Sequence, residues 1–442
     1  MLALLFVLVF PLSVFATDRY VSPTGTGSTC SSGTPCAPIT AIAAMVSGDT
    51  TYLQDGTYQG DNYMLSIQSR QCSSGARCTL AAVNDGAVTI DGQAARVPLD
   101  LNDSSYWTIQ GFNAKNSNSD VCKVRGTPGA RKNAFHELRR IICWDAVDAD
   151  NRHAWSVHDL NDVLLEDVAG FGRARKVLAG FEADRLNWRR CWSRWNKYTD
   201  AQPKQGADLT YDTYDEVWEN CIFEWDQLDA SANPYGNANS AGGILSPGST
   251  NANLKVCGCI AYALTGQNNS QPYLFFTPNH SVDAGLTGST FQHNVAIVQP
   301  SSLTIKPFYL NDDIGGGSDI ADHLTSITGT GGASSSFTGN YTCTNCLSQA
   351  TTGGYDLYGN SGAGATIYYQ YQSCTLTSTP LWPFPMGDRI AAALTAGGYS
   401  SHNVNTVIQN LFGTFPSAGG SGGGMSETPS WSSPRRSPLW RR

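Results

Sequence analysis

Between residues 152 and 226 apolar and polar positions alternate with period two, in short bursts. The bursts end HAWSVHDLNDVLLEDV, KVLAGFEADRLNWRRC and ADLTYDTYDEVWENC, and they superpose on their last residues, Val168, Cys191 and Cys221. Ten positions upstream of each stands a ring: His158, Phe181 and Tyr211. Period-two alternation predicts strands rather than helices. A unit of this kind that recurs along the chain is what a solenoid needs, because each copy buries its apolar face only against its neighbours.

The repeat extends both ways. Cys143, Cys259, Val295, Cys346 and Cys374 fit the same slot, with a further turn near Ile327. Their unequal spacing predicts constant strands joined by loops of variable length at one corner. A polar residue, often Asn, precedes the slot at Asn220, Asn294 and Asn345. Such side chains bond backbone groups at tight turns.

These features resemble the right-handed parallel β-helix of the pectate-lyase type, over roughly residues 19–415. The opening YVSPTGTGSTCSSGTPCAPITAIAAMVSGDTTYLQDGTY resembles the N-terminal lead-in of secreted β-helix proteins. There a short helix, here about 38–46, plugs the open end. The expected organisation is a leader over 1–16, a lead-in and plug over 17–48, and a parallel β-helix over 49–379. Two helical runs over 380–416 would form a C-terminal cap on the last coil, before a Gly/Ser/Pro/Arg tail over 417–442. The fold class is therefore all-β, a single-stranded solenoid with a helical plug and a helical cap.

Composition narrows the partners. The chain of 442 residues carries a net charge of −8, so nothing global draws it to nucleic acid or to an acidic membrane. The apolar run over 2–15 ends Val14-Phe15-Ala16 and reads as a cleaved secretion signal, which implies an extracellular or periplasmic location; a monomer is expected there. Thirteen cysteines suit an oxidising compartment. Cys30 with Cys36, and Cys72 with Cys78, are close pairs in polar loops and read as disulfides, with Cys343 and Cys346 as a third candidate pair. Cys143, Cys191, Cys221 and Cys374 read as buried small residues stacked in a ladder.

Strand parity directs the search for chemistry. Taking the small apolar residues as inward places Ala154, Ser156 and His158 inside, with Val177, Ala179 and Phe181, then Ala207, Leu209 and Tyr211. The opposite face then holds His153, Trp155 and Val157; Lys176, Leu178 and Gly180; Gly206, Asp208 and Thr210. The loops leading into these strands are rich in cations: Arg152, Arg173, Arg175, Arg194, Lys197 and Lys204. Adjacent rungs lie about 4.8 Å apart, so these charges crowd one mouth. An acidic protein that gathers cations on one edge is suited to bind an anionic polymer there. Trp155, Trp192 and Trp195 offer rings for sugars, and Asp208 a further polar contact. Asp145, Asp148 and Asp150, with Asn151, could hold Ca²⁺ through clustered oxygens.

The resemblance implies a carbohydrate-active protein. Polyuronate lyases of this fold remove a proton alpha to a uronate carboxylate while cations or Ca²⁺ offset the developing charge. Lys is an easier base than Arg, because its pKa falls near other cations. Lys176 is accordingly the expected base. Arg175 or Arg194 would steady the carboxylate, and His153 would serve as acid. Arg152, Trp155, Arg173, Lys197, Lys204 and Asp208 would bind the substrate, an anionic polysaccharide. The alternative is a non-catalytic glycan-binding or surface protein. A glycoside hydrolase fits less well: no Gly-His-Gly occurs, and the one Asp-Asp, Asp312-Asp313, lacks the motifs that accompany it in polygalacturonase-like β-helices.

Overall fold

The computed structural model describes residues 16–148, 151–194, 196, 208–225, 244–245, 253–263, the strands between 273 and 350, and 384–412. Each coil gives one strand to each of three sheets in which every pairing is parallel. Sheet one begins with Asp18–Val21 and Thr50–Leu53, sheet two with Gly56–Tyr58, and sheet three with Leu65–Gln68. Among the described residues the sheets hold 12, 11 and 10 strands, and neighbours within a sheet lie one coil apart. This is the parallel β-helix that the resemblance implied, built from the strands that the period-two alternation predicted. Helix α1 (Pro38–Ala44) stands at its start, with Ala41 and Ile42 in the same core as Val21 and Leu53.

The turn from sheet one to sheet two explains the repeated slot. The residue entering it has left-handed backbone at Arg140, Asp167, Arg190, Asn220 and Gly258. Gly, Asn and Asp adopt that conformation most readily. The next residue points inward. Backbone pairing of the following strands aligns Ile141, Val168, Cys191, Cys221, Cys259 and Asn294 in one column. The Cys191 N–H donates to Cys221 Sγ (3.4 Å) and the Cys221 N–H to Cys259 Sγ (3.4 Å). The Cys259 N–H donates to Asn294 Oδ1 (2.9 Å). Three free, buried cysteines thus form the expected ladder. Two assignments to it are corrected. Val295 lies one residue beyond the column. Cys143 lies two beyond it and is bonded to Cys122 across the coil. The disulfides Cys30–Cys36 and Cys72–Cys78 form as expected, and Cys257 is also disulfide-bonded. The side chains of Cys343, Cys346 and Cys374 lie outside the described residues.

The interior is filled by large side chains. Trp107, Trp155, Trp188 and Trp218 are fully buried, and Trp188 stacks on Trp218 with centroids 4.8 Å apart. Outside sheet one, Arg139, Glu166, Arg189 and Glu219 alternate in sign across four rungs. Arg139 contacts Glu166, Arg189 reaches Glu166 at 3.2 Å, and Arg189 reaches Glu219 at 3.3 Å.

The C-terminal helices depart from expectation. α2 (Gly387–Ala396) and α3 (Val404–Phe412) lie along the outer face of sheet two. Ile390, Leu394, Val404 and Ile408 join a second core with Trp144, Phe171, Trp192 and Tyr262. Arg389 adds bonds to Asp85 Oδ1 (2.7 Å) and to the Arg140 carbonyl (2.8 Å). The outward residues of sheet two are the physical reason. Bare, they would form an apolar patch larger than a soluble surface usually leaves exposed. None of the described helices is long and apolar enough to cross a membrane, and residues 1–15 of the expected leader over 1–16 lie outside the described residues.

Candidate functional site on the outer face of sheet three

Parity on sheet three is the reverse of the small-residue rule over most of its length. Leu99 and Leu101, then Cys122 and Val124, face the core and pair with Trp155 and Val157. Trp155 is fully buried, and its indole N–H donates to the Ala169 carbonyl (2.9 Å). It is a core residue, not a sugar platform. Gly180 faces inward too, since a Cβ there would meet Leu186 of sheet one at 2.7 Å. Hence His158, Phe181 and Tyr211, paired across three rungs, face outward instead of stacking in the core. Tyr211 is 40% exposed. The rule failed because large apolar side chains gain more from burial than Ala or Ser.

The alternation breaks at Ala154 and Val177. Val177 and Leu178 both approach Gly170 of sheet two, at 2.7 and 3.3 Å from a Cβ built there. Before the break stand His153 and Lys176, which are register partners. The His153 ring lies 5.1 Å from the Phe181 ring, which lies 6.2 Å from His158. That contact puts His153 on the outer face, and its partner Lys176 shares it. Both residues are only 2% exposed.

The corner around them is cationic. The Arg175 N–H donates to the Arg152 carbonyl (2.7 Å), which binds the two incoming loops together, and the Arg175 guanidinium holds the Asn151 side chain. Asp120 Oδ1 accepts the His153 N–H (2.8 Å). Lys123 and Arg125 continue the face on the preceding rung, with Arg125 3.3 Å from Asp100. Burial, then Arg175, lowers the pKa of Lys176 to about 7, against the opposing pull of Asp208. Burial, then Arg175 and Lys176, holds His153 well below its ordinary value. A ring kept neutral in this way is a poor acid, which corrects the role first assigned to it. Its Nδ1 has no hydrogen-bond partner among the described residues.

The remaining candidates disperse. Asp208 is fully buried at the corner between sheets two and three. It accepts from the Leu178 N–H (2.9 Å) and from Ser193 Oγ (2.5 Å), and burial raises its pKa to about 7. It anchors the corner from a fully buried position. Arg194 leaves the mouth altogether. It is fully buried under the C-terminal segment, 3.7 Å from Glu224, whose Oε2 meets Tyr262 (2.8 Å) and His402 (2.9 Å). Trp192 packs beside it in the second core. Arg173 is half-buried and bonds the Ala146 carbonyl through Nε (2.8 Å). Asp145 bonds the Arg173 N–H (3.0 Å) and the Tyr399 hydroxyl. Asp148 faces Arg173 at 3.8 Å. Among the described residues no three such ligands cluster to hold a metal. Asp150, Trp195, Lys197 and Lys204 lie outside them.

Asp120, Lys123 and the ring column His158–Phe181–Tyr211 were missed as outer-face groups. The pattern LDLN followed by CKVR, with large apolar residues at alternate positions, would have set the parity correctly.

Comparison with solved structures returns parallel β-helix proteins. A pectate lyase aligns over 82% of this chain and 85% of its own, at 13% identity and TM-score 0.45. A rhamnogalacturonan lyase aligns over 70% and 84%, at 14% identity and TM-score 0.36. The pectin methylesterase from Aspergillus niger aligns over 78% and 92%, at 13% identity and TM-score 0.30. No protein-family model and no curated protein sequence matches the chain.

Proposed function

We propose that the outer face of sheet three binds an acidic polysaccharide and that its basic corner cleaves the chain by β-elimination. The observation that carries this reading is Lys176, held with its pKa near 7 beside Arg175, Arg152 and His153. An amine that is half neutral at working pH can take a proton alpha to a uronate carboxylate. The electron pair left on that carbon forms the new double bond as the glycosidic C–O bond breaks. The departing oxygen then takes a proton from water and leaves as a hydroxyl, and the proton held by Lys176 passes to solvent. Arg175 and Arg152 would meet the carboxylate, whose negative charge grows in the transition state. The half-exposed His158, Phe181 and Tyr211 would lie under neighbouring sugar rings, whose apolar faces suit aromatic partners.

A second reading is favoured by one observation. Lys176 and His153 are each 2% exposed, so a polymer laid on this surface meets Lys123, Arg152, Arg175 and the rings first. A protein that only binds the acidic glycan would need no more. The test is incubation with polygalacturonate, alginate and glycosaminoglycans, read as ultraviolet absorbance of unsaturated product together with calorimetric binding. Absorbance that grows with time supports elimination. Salt-sensitive binding without it supports the binding protein. Binding to neutral glucans alone contradicts both.

A further inference from the structure

The C-terminal helices reach the site through a polar contact. The Tyr399 hydroxyl, just past α2, donates to Asp145 Oδ1. That oxygen also accepts the Arg173 N–H at 3.0 Å. From there the loops over 145–148 and 172–175 are zipped together. The Ala146 N–H donates to the Arg173 carbonyl (2.9 Å) and Arg173 Nε to the Ala146 carbonyl (2.8 Å), while the Gly172 N–H donates to Asn196 Oδ1 (2.9 Å) of the following coil. Two residues further on stands Arg175, bonded to Arg152, and then Lys176.

The packing leaves this contact little freedom. The Tyr399 ring meets Phe171 edge-on at 5.6 Å, and Phe171 stacks on Trp144 at 5.2 Å. Gly172 has φ +81°, and a Cβ there would lie 2.5 Å from Asp145 Oδ1 and 3.1 Å from the Tyr399 hydroxyl. Only glycine lets the three groups meet. Asp145 is half-buried, and that desolvation raises its carboxyl pKa while the Tyr399 hydroxyl lowers it.

We infer that Tyr399 is a positioning residue for the basic corner: through Asp145 it fixes the backbone of the loop that carries Arg173, Arg175 and Lys176. This rests on the reading of that corner as the polysaccharide site. The C-terminal helices therefore do more than cover sheet two.

The decisive variant is Tyr399→Phe, which keeps the ring contact with Phe171 and removes only the hydroxyl. Arg389→Ala is the comparison, because it loosens the same helix where it meets Asp85 and the Arg140 carbonyl, without touching Asp145 or the loop over 172–175. Hydrogen exchange of the Arg173 and Ala146 amides is read first, since it needs no ligand. Tyr399→Phe should speed both amides about tenfold while strand amides of sheet one keep their rates, and Arg389→Ala should leave the pair unchanged. The Kd of Tyr399→Phe for polygalacturonate should then rise roughly fivefold, with less dependence on salt. Unchanged exchange at Arg173 and Ala146 would overturn the inference. So would faster exchange with an unaltered Kd. If wild-type protein binds no acidic polysaccharide, the proposed function fails, and the exchange result alone decides whether Tyr399 holds the loop.

Discussion

The sharpest consequence of the basic corner is a pH dependence of stability that belongs to one side chain. Lys176 falls from 10.5 in the unfolded chain to about 7 in the fold, chiefly through burial. Between those values the unfolded chain holds a proton that the folded chain has lost. Stability must therefore rise with pH across the window from about 7 to 10.5, and the gain is lost progressively as pH falls from 10.5 to 7, below which both states are protonated. At about 1.4 kcal/mol per unit, the rise from pH 7 to pH 9.5 is roughly 3 kcal/mol. Lys176→Met keeps a chain of similar length and removes the proton. Denaturant unfolding of both proteins across that range is the assay. The wild type should gain roughly 3 kcal/mol more than the variant, and a proteolytic footprint at one pH should show that both share the fold. Parallel pH profiles would mean that Lys176 titrates at an ordinary value and would remove the chemical basis of the proposed reaction.

Other consequences are simpler. Asp208 carries the opposite shift, from 3.8 to about 7, so its share of stability is lost as pH rises through that window, and Asp208→Asn should flatten the wild-type decline between pH 4 and 7. Trp155→Ala should cost about 3–5 kcal/mol in denaturant unfolding, as for a fully buried ring; a cost below 1 kcal/mol would place Trp155 on the surface. Replacing Cys122 and Cys143 together by Ser opens a bridge spanning 21 residues and should cost about 3 kcal/mol. Unchanged unfolding of that pair would mean the cysteines are not bonded. Arg189→Ala strips two buried carboxylates of a partner and should cost about 3–5 kcal/mol, measured the same way.

The sequence showed the coil because alternation and the repeated slot are local. It misplaced the slot by one residue at Val295 and by two at Cys143, because a small apolar residue near a turn looks alike on either side of it. Parity failed on sheet three for a different reason. Ser156 and Ala179 lie on the opposite face while Trp155, Val157 and Leu178 fill the interior, so size, not smallness, marks the inward face. The break at Ala154 and Val177 has no local signature, yet it returns His153 and Lys176 to the outer face. The cations of the corner were legible as a cluster in the chain. The departure of Arg194 was not, since it depends on Glu224, Tyr262 and His402, which meet only in the folded coil. Tyr399 and Asp145 lie 254 residues apart, so their contact was equally invisible.

The claim that sheet three carries the site is tested most directly by footprinting the wild-type protein with and without the acidic polysaccharide it binds most tightly. Side chains are labelled, and protection is read residue by residue. The account predicts protection of Lys123, Arg152, His158, Arg175 and Tyr211, with unchanged labelling of Ile39 and Val83, which are exposed elsewhere on the chain. Protection confined to the C-terminal helices or to the Arg139–Glu219 ladder would contradict it, as would the failure of every acidic polysaccharide to protect any of the five.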